Sequence, residues 1–352
     1  MKSLNGLLAC SLVLTSSMAH ADFTYQETTQ ITGGSLMGMM KLAGTFSKQA
    51  RQAGDPIVST VTIKGNRMMR VSKDSTEIVD LDAGTITMID HAKKQYTTMT
   101  FEQMRQQMEA AMAKAKAQQA KQPQQPANNA SNVDVKFNVK VRNTGASRDV
   151  AGLSAKESIL TMTVDATDQK SGQAGSLAIT NDMYLAPEIP GYGEVRDFYK
   201  RYAAKMGTVM SGAMNTQMMA MMQQPAAGKG MADMVEEMSK LKGIPVLQIM
   251  RMGTTLDGTP LAAASEAPLP SGPPAPSAGS LAKSAVMSSL PFGGFGKKKA
   301  QEPPPAEASA QPTSAVLVES STQLTSFSQA TVDASQFSIP AGYKQVEPKM
   351  ID

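Results

Sequence analysis

"KGNRMMRVSKDSTEIVDLDAGTITMIDHAKKQYTTMT", Lys64 to Thr100, reads as short strands folded back on one another and ending in a helix start. Apolar and polar residues alternate in runs of about six, and the breaks between runs hold Asp, Gly and Lys, which favour tight turns. "DAGT" is such a turn. The stretch resembles a calcium loop for a moment at Asp80-Leu-Asp82-Ala-Gly84, but no carboxylate follows before the glycine and His91 stands where a bidentate Glu belongs. The acids are therefore read as turn formers.

Working outward, the same alternation recurs. Ile57, Ser59, Val61 and Ile63 share one face. In "VDVKFNVKVR", Val133, Val135, Phe137, Val139 and Val141 face one way and Asp134, Lys136, Asn138, Lys140 and Arg142 the other. Leu160, Met162, Val164 and Ala166 repeat the pattern, as do Leu177, Ile179, Met183 and Leu185 and then Ile244, Val246, Met250 and Met252. "DFTYQETTQIT" (22–32) and "SAVLVESSTQLTSF" (314–327) are further strands. The expectation is an α+β fold: roughly ten antiparallel strands in one strongly curved sheet, a half-barrel, with Met-rich helices against its concave face.

Four helices are expected. Thr100-Phe-Glu-Gln103 is a capping box, in which each side chain satisfies a free amide of the other residue. Met104, Met108 and Met112 follow on one side. A longer helix begins after Pro190-Gly191, with a seam of Val195, Tyr199, Tyr202, Met206, Val209 and Ala213, and is expected to stop at Pro225. "MADMVEEMSKL" (231–241) places Met231, Met234, Val235, Met238 and Leu241 on one side, and "GGSLMGMMKLAGTF" (33–46) is a weaker candidate.

The ends and composition set the compartment. Residues 1–21 have a positive start, an apolar run and an Ala19-His20-Ala21 cleavage signature, so the mature chain is expected to begin at Asp22 in the periplasm or outside the cell. Leu7-Leu8-Ala9-Cys10 resembles a lipidation motif, but too short a segment precedes it. Cleavage removes Cys10, leaving no thiol and no disulfide, and lowers the formal charge from +4 to +3 by loss of Lys2. That balance gives no pull toward nucleic acid, and no later stretch is long and apolar enough to span a membrane. The expected organisation is a domain over 22–257 with a polar linker or loop at 120–132, a disordered Pro/Ala/Ser-rich insert at 258–312 that can reach an envelope protein partner, and a return to the sheet over 313–352. Lys297-Lys298-Lys299, inside the insert, is read as part of a solvated linker.

A search for chemistry returns little. His91 is the only mature histidine and has no serine elbow to serve, so it is read as an exposed turn residue. One His and no Cys exclude a zinc site, and the Gly-rich stretches lack phosphate-loop spacing. The chain is expected to be non-enzymatic, without metal or cofactor. The methionines remain: there are 28, and Met206, Met210, Met214, Met218 and Met222 recur at every fourth position. Such a ribbon fits core packing, an adaptable surface for a lipid or lipidated ligand, or Cu(I) held by thioethers. Met also populates the other helices in place of Leu, which argues against copper. Tyr199, Tyr202, Met206, Met210, Met214, Met218 and Met222 are the candidate ligand-binding or lid residues.

"VTIKGNRMMRV" followed by "IVDLDAGTITMIDHAKKQYTTMTFEQMR" resembles the exported bacterial DUF4412 family, and "EIPGYGEVRDFYKRYAAKMG" and "KGIPVLQIMRM" look like later parts of the same domain. The resemblance spans most of 23–255. It brings no catalytic residues. It implies a fold like that of the periplasmic lipoprotein carriers (LolA/LolB-like), a half-barrel that encloses acyl chains beneath its helices. Two functions follow as expectations: a non-enzymatic binder of a lipid or other hydrophobic ligand, or a structural module with a self-filled core and a partner-binding insert.

Overall fold

A computed structural model of the chain describes residues 22–38, 54–121, 133–168, 174–213, 225–255, 258–269 and 314–348. These form one curved, open, twelve-stranded sheet where roughly ten strands were expected. In chain order the strands are β1 (Phe23–Gly33), β2 (Ile57–Lys64), β3 (Arg67–Val71), β4 (Ser75–Asp80), β5 (Thr85–Asp90), β6 (Gln95–Thr100), β7 (Val133–Val150), β8 (Leu153–Asp168), β9 (Ala174–Ala186), β10 (Ile244–Thr255), β11 (Ser314–Ser328) and β12 (Lys344–Gln345). Their order across the sheet is β12-β6-β5-β4-β3-β2-β1-β11-β10-β9-β8-β7, antiparallel throughout except for the short β12–β6 pair.

The opening stretch supplies β3 to β6. Its two long turns repeat one device. Asp80 Oδ1 accepts from the amides of Asp82 (3.0 Å) and Ala83 (2.8 Å), and Asp90 Oδ1 accepts from Lys93 (2.9 Å). The fourth loop residue then turns left-handed, Gly84 at φ 64° and Lys94 at φ 50°. The acids are turn formers, as read from the sequence.

Among the described residues, the sheet is accompanied by the long helices α1 (Phe101–Lys121), α2 (Gly193–Ala213) and α3 (Pro225–Ser239). The capping box forms, with Gln103 N–H donating to Thr100 Oγ1 at 3.0 Å and Thr100 N–H donating to Gln103 Oε1 at 2.8 Å. Met104, Met108 and Met112 are all half-buried on one side of α1. Pro225 opens α3, where its missing amide proton costs nothing, and residues 214–224 lie outside those described. The fourth expected helix is described only in its first turn, 35–38. In α3 the expected apolar side divides. Met234 is half-buried, while Val235 and Met238 are exposed. The helix rests on β7 through Gly230, where an added Cβ would stand 2.7 Å from Phe137, and through Glu237, which accepts the Val141 N–H at 2.8 Å.

The main core lies between α1, α2 and β1–β6 and continues onto β7–β11 through Val150, Ala155, Ala186, Val246 and Leu324. Phe23, Phe198 and Ile63 are fully buried in it. Phe23 stacks on Phe327 at 6.2 Å and meets Tyr192 edge-on at 5.7 Å. The other face of β3–β6 carries a smaller cluster of Ile78 and Ile89, covered by Val332 and Phe337 from the C-terminal segment 329–348. His91 belongs to this contact and is half-buried where an exposed turn residue was expected. Its ring nitrogens meet Thr76 Oγ1 at 2.8 Å and Tyr343 Oη at 2.9 Å. Residues 258–269, placed in the insert by composition, lie against the sheet: Thr180 Oγ1 donates to the Leu261 carbonyl at 2.7 Å, and Leu261 and Ala263 are buried.

Candidate ligand face beneath the helices

Residues opposite one another in register share a face, so the pairing lays out the helix-bearing face as rows. The first row, Phe23–Ile63–Met68–Val79–Ile86–Met99, is apolar, and its first five members are buried. The second row, Phe327–Tyr25–Val61–Arg70–Glu77–Met88–Thr97, mixes aromatic, charged and apolar groups. Arg70 pairs with Glu27 and reaches Glu77 at 4.0 Å. Tyr199 of α2 closes over this row. Its hydroxyl lies 3.3 Å from Tyr25 Oη, accepts from Arg70 Nη2 at 3.4 Å and donates to Met68 Sδ at 3.5 Å.

Two members of this cluster, Tyr25 and Arg70, are shifted by their surroundings. Burial, aided by the neighbouring Tyr199, pushes the Tyr25 phenol far above its ordinary range. Burial opposes the charge on Arg70, but Glu27 outweighs it and raises the guanidinium further. Tyr192 and Tyr202 are raised, first by burial. Such groups donate hydrogen bonds at neutral pH and do not shuttle protons. Among the described residues, no three of His, Cys, Asp and Glu gather closely enough to hold a metal.

Of the seven candidate residues, Tyr199, Tyr202 and Met206 pack against the main core. Tyr202 stacks on Phe198 at 6.1 Å and reaches Phe101 at 6.2 Å. Met210 lies in α2, while Met214, Met218 and Met222 lie outside the described residues. Phe198, absent from the expected seam, is the most buried residue of α2. Its signal was present, since Val195, Phe198, Tyr202, Met206 and Val209 follow the spacing of one helical stripe.

Across β1 the same face continues as three further rows: Phe137–Val164–Leu177–Thr254, Val139–Met162–Ile179–Met252–Val318, and Val141–Leu160–Asn181–Met250–Ser320–Ile31. Here every apolar member is half-buried except Met250, which is exposed. Beneath them the opposite face of β8–β10 is closed and polar: Thr163, Ser176, Thr180, Asp182, Arg251 and Thr255 are all buried. The expected alternation of buried apolar and wet polar faces holds on β7 and at Ala166, Met183 and Leu185, and inverts across the middle of β8–β10. A cavity of about 270 Å³ lies on that closed face between Lys140, Arg142, Thr161 and the 260–262 backbone, with Arg142 and Glu266 paired at its edge.

The chain matches no protein-family model, and no curated protein is similar to it. No helix among the described residues is long and apolar enough to cross a membrane.

Proposed function

We propose that this is a non-enzymatic exported protein that binds a lipid or other hydrophobic ligand on the helix-bearing face of β7–β11. One observation carries the reading: across the middle of β8–β10 the side bearing Thr163, Ser176, Thr180 and Arg251 is buried, and the apolar rows Val164–Leu177 and Met162–Ile179–Met252 on the other side are left half-open. A fold without a ligand gains stability by the reverse arrangement, since apolar area removed from water contributes about 25 cal/mol per Å². An acyl chain laid along Met162, Ile179, Met252 and Val318 completes that burial, and adaptable Met side chains suit a ligand of variable shape. The rows then form the hollow of a half-barrel, and α3, with Val235 and Met238 exposed, is the element placed to cover it. This shifts the ligand away from Tyr199 and Tyr202, whose surroundings are filled by Phe23, Phe101 and Phe198.

Export is part of the same proposal. Asp22, the first residue after the cleavage signature, is buried and accepts from Lys64 Nζ and the Val332 amide, both at 2.7 Å. We propose likewise that the chain is related to the DUF4412 family and to the lipoprotein carriers. Extraction and mass spectrometry of the 22–352 chain purified from its host tests the function. A lipid is expected in the wild type and missing from Ile179→Glu; its absence from both overturns the reading.

A second reading rests on the main core, which is filled by the protein's own side chains: a structural module whose partner is taken by the Pro-rich insert. Deleting 270–312 separates the two. Ligand binding survives the deletion under the first reading, and partner capture is lost under the second.

A further inference from the structure

Residues 258–269 are fastened to the closed face at an acid pair. Asp182 of β9 is fully buried, and its Oδ2 accepts the Ser265 N–H at 2.8 Å. Its Oδ1 is also buried and makes no hydrogen bond, while the Ser265 hydroxyl lies close enough to both Asp182 and Glu157 to donate to either. Glu157 of β8, only 4% exposed, stands within hydrogen-bonding contact of Asp182. Both Glu157 oxygens are already engaged: Tyr184 Oη donates to Oε1 at 2.9 Å and Thr144 Oγ1 donates to Oε2.

Two carboxyl groups in contact, both out of water, cannot both be ionised without a large repulsion. One proton placed on Asp182 Oδ1 removes that repulsion and supplies the missing donor, directed at Glu157. The surroundings favour this division. Asp182 lies in register between Ile159 and Ile249, so no cation flanks it on either strand. Arg251, two residues along β10 from Ile249, is held by Glu319. Arg148 of β7 faces the Tyr184 ring at 5.8 Å, and Arg142 is paired with Glu266. Burial pushes the Asp182 carboxyl above its ordinary range, with the Glu157 charge adding to it. Burial also opposes ionisation of Glu157, but its donors outweigh this and hold it below the usual range. A divalent cation is a poorer occupant, since it asks for six or more oxygens and these two carboxyls are already committed.

We infer that the Glu157–Asp182 pair is a proton-dependent latch that holds residues 258–269 on the sheet and lets them go as the pH rises. The sign follows from which form docks. The protonated Asp182 belongs to the docked state, so its contribution is complete below the ordinary carboxylate range and is lost as the pH climbs through the raised value. Above that, like charges face each other across the contact that bears Ser265.

Hydrogen exchange of the 22–352 chain, corrected for the intrinsic pH dependence of amide exchange, tests this on the peptide covering 258–269, with β2 as the internal reference. Between pH 3.5 and pH 9.5 the wild type is expected to lose at least tenfold protection in that peptide and none in β2. Asp182→Asn keeps the docked hydrogen bonds without a titrating proton, and its protection is expected to stay level. Glu157→Gln removes the like charge and is expected to behave the same way, which keeps the test open if the first variant does not fold. Level protection in the wild type, or an equal loss in both variants, overturns the latch. Recovery of wild-type protection at pH 9.5 on adding millimolar calcium also overturns it, in favour of a cation site.

Discussion

Arg251 and Glu319 form an ion pair inside the protein: Nε donates to Oε2 at 2.7 Å, and the side chains are 4% and 11% exposed. Arg251 also donates to the carbonyls of Ala262 (2.9 Å) and Ala263 (3.1 Å), so it ties β10 and β11 to residues 258–269. Removing one partner leaves a buried charge uncompensated, which costs about 3–5 kcal/mol. Glu319→Ala is expected to lower the chemical denaturation midpoint by that order. Arg251→Met with Glu319→Leu is expected to recover much of it, while the 260–265 backbone becomes more open to proteases than in the wild type.

The cap of α1 allows a smaller, cleaner test. Thr100 satisfies the Gln103 amide at the helix start, and an N-cap hydroxyl contributes about 1 kcal/mol. Thr100→Ser is expected to be near neutral and Thr100→Ala to lose about that amount, read as a shift in the unfolding midpoint.

Phe198 fills the space between α2 and the first apolar row and is fully buried. Phe198→Ala is expected to cost about 3–5 kcal/mol, the sum of lost transfer energy and the cavity left behind. Tyr199→Phe removes only a hydroxyl from a partly exposed cluster and is expected to cost about 1 kcal/mol. Equal losses in the two variants would contradict the packing described.

The tyrosines give a pH prediction with a definite sign. Burial raises Tyr25, Tyr192 and Tyr202, and raises Tyr184 to about 12 with help from Glu157. Their folded values exceed the unfolded value of about 10, so their contribution is complete below that pH and is lost as the pH rises above it. At about pH 11 the native chain is expected to show markedly less tyrosinate absorbance than the chain unfolded in guanidinium at the same pH.

The sheet was largely legible because its information is local. Val139 and Lys140 alternate in sequence and in space, and Asp80 and Asp90 mark their turns by bonding amides two or three residues on. The layers over the sheet were less legible. Residues 258–269 are docked mainly by side chain to backbone bonds from Thr180, Asp182 and Arg251, and a backbone carbonyl leaves no trace in the residue sequence. The apolar contacts of the C-terminal segment come from well-separated residues, Val332, Phe337 and Tyr343, too sparse for a period. The inverted burial of β8–β10 was hidden for another reason. Alternation tells which residues share a face, and the covering elements decide which face is closed.

The central claim is that the half-open apolar rows of β8–β10 hold a hydrophobic ligand, and titration of the 22–352 chain with a fluorescent fatty acid tests it most directly. Saturable binding that an unlabelled fatty acid displaces is predicted for the wild type. Weakening by at least tenfold is predicted for Ile179→Glu, with the unfolding midpoint little changed because Ile179 is only half-buried. No saturable binding, or equal affinity in the two proteins, would contradict the account.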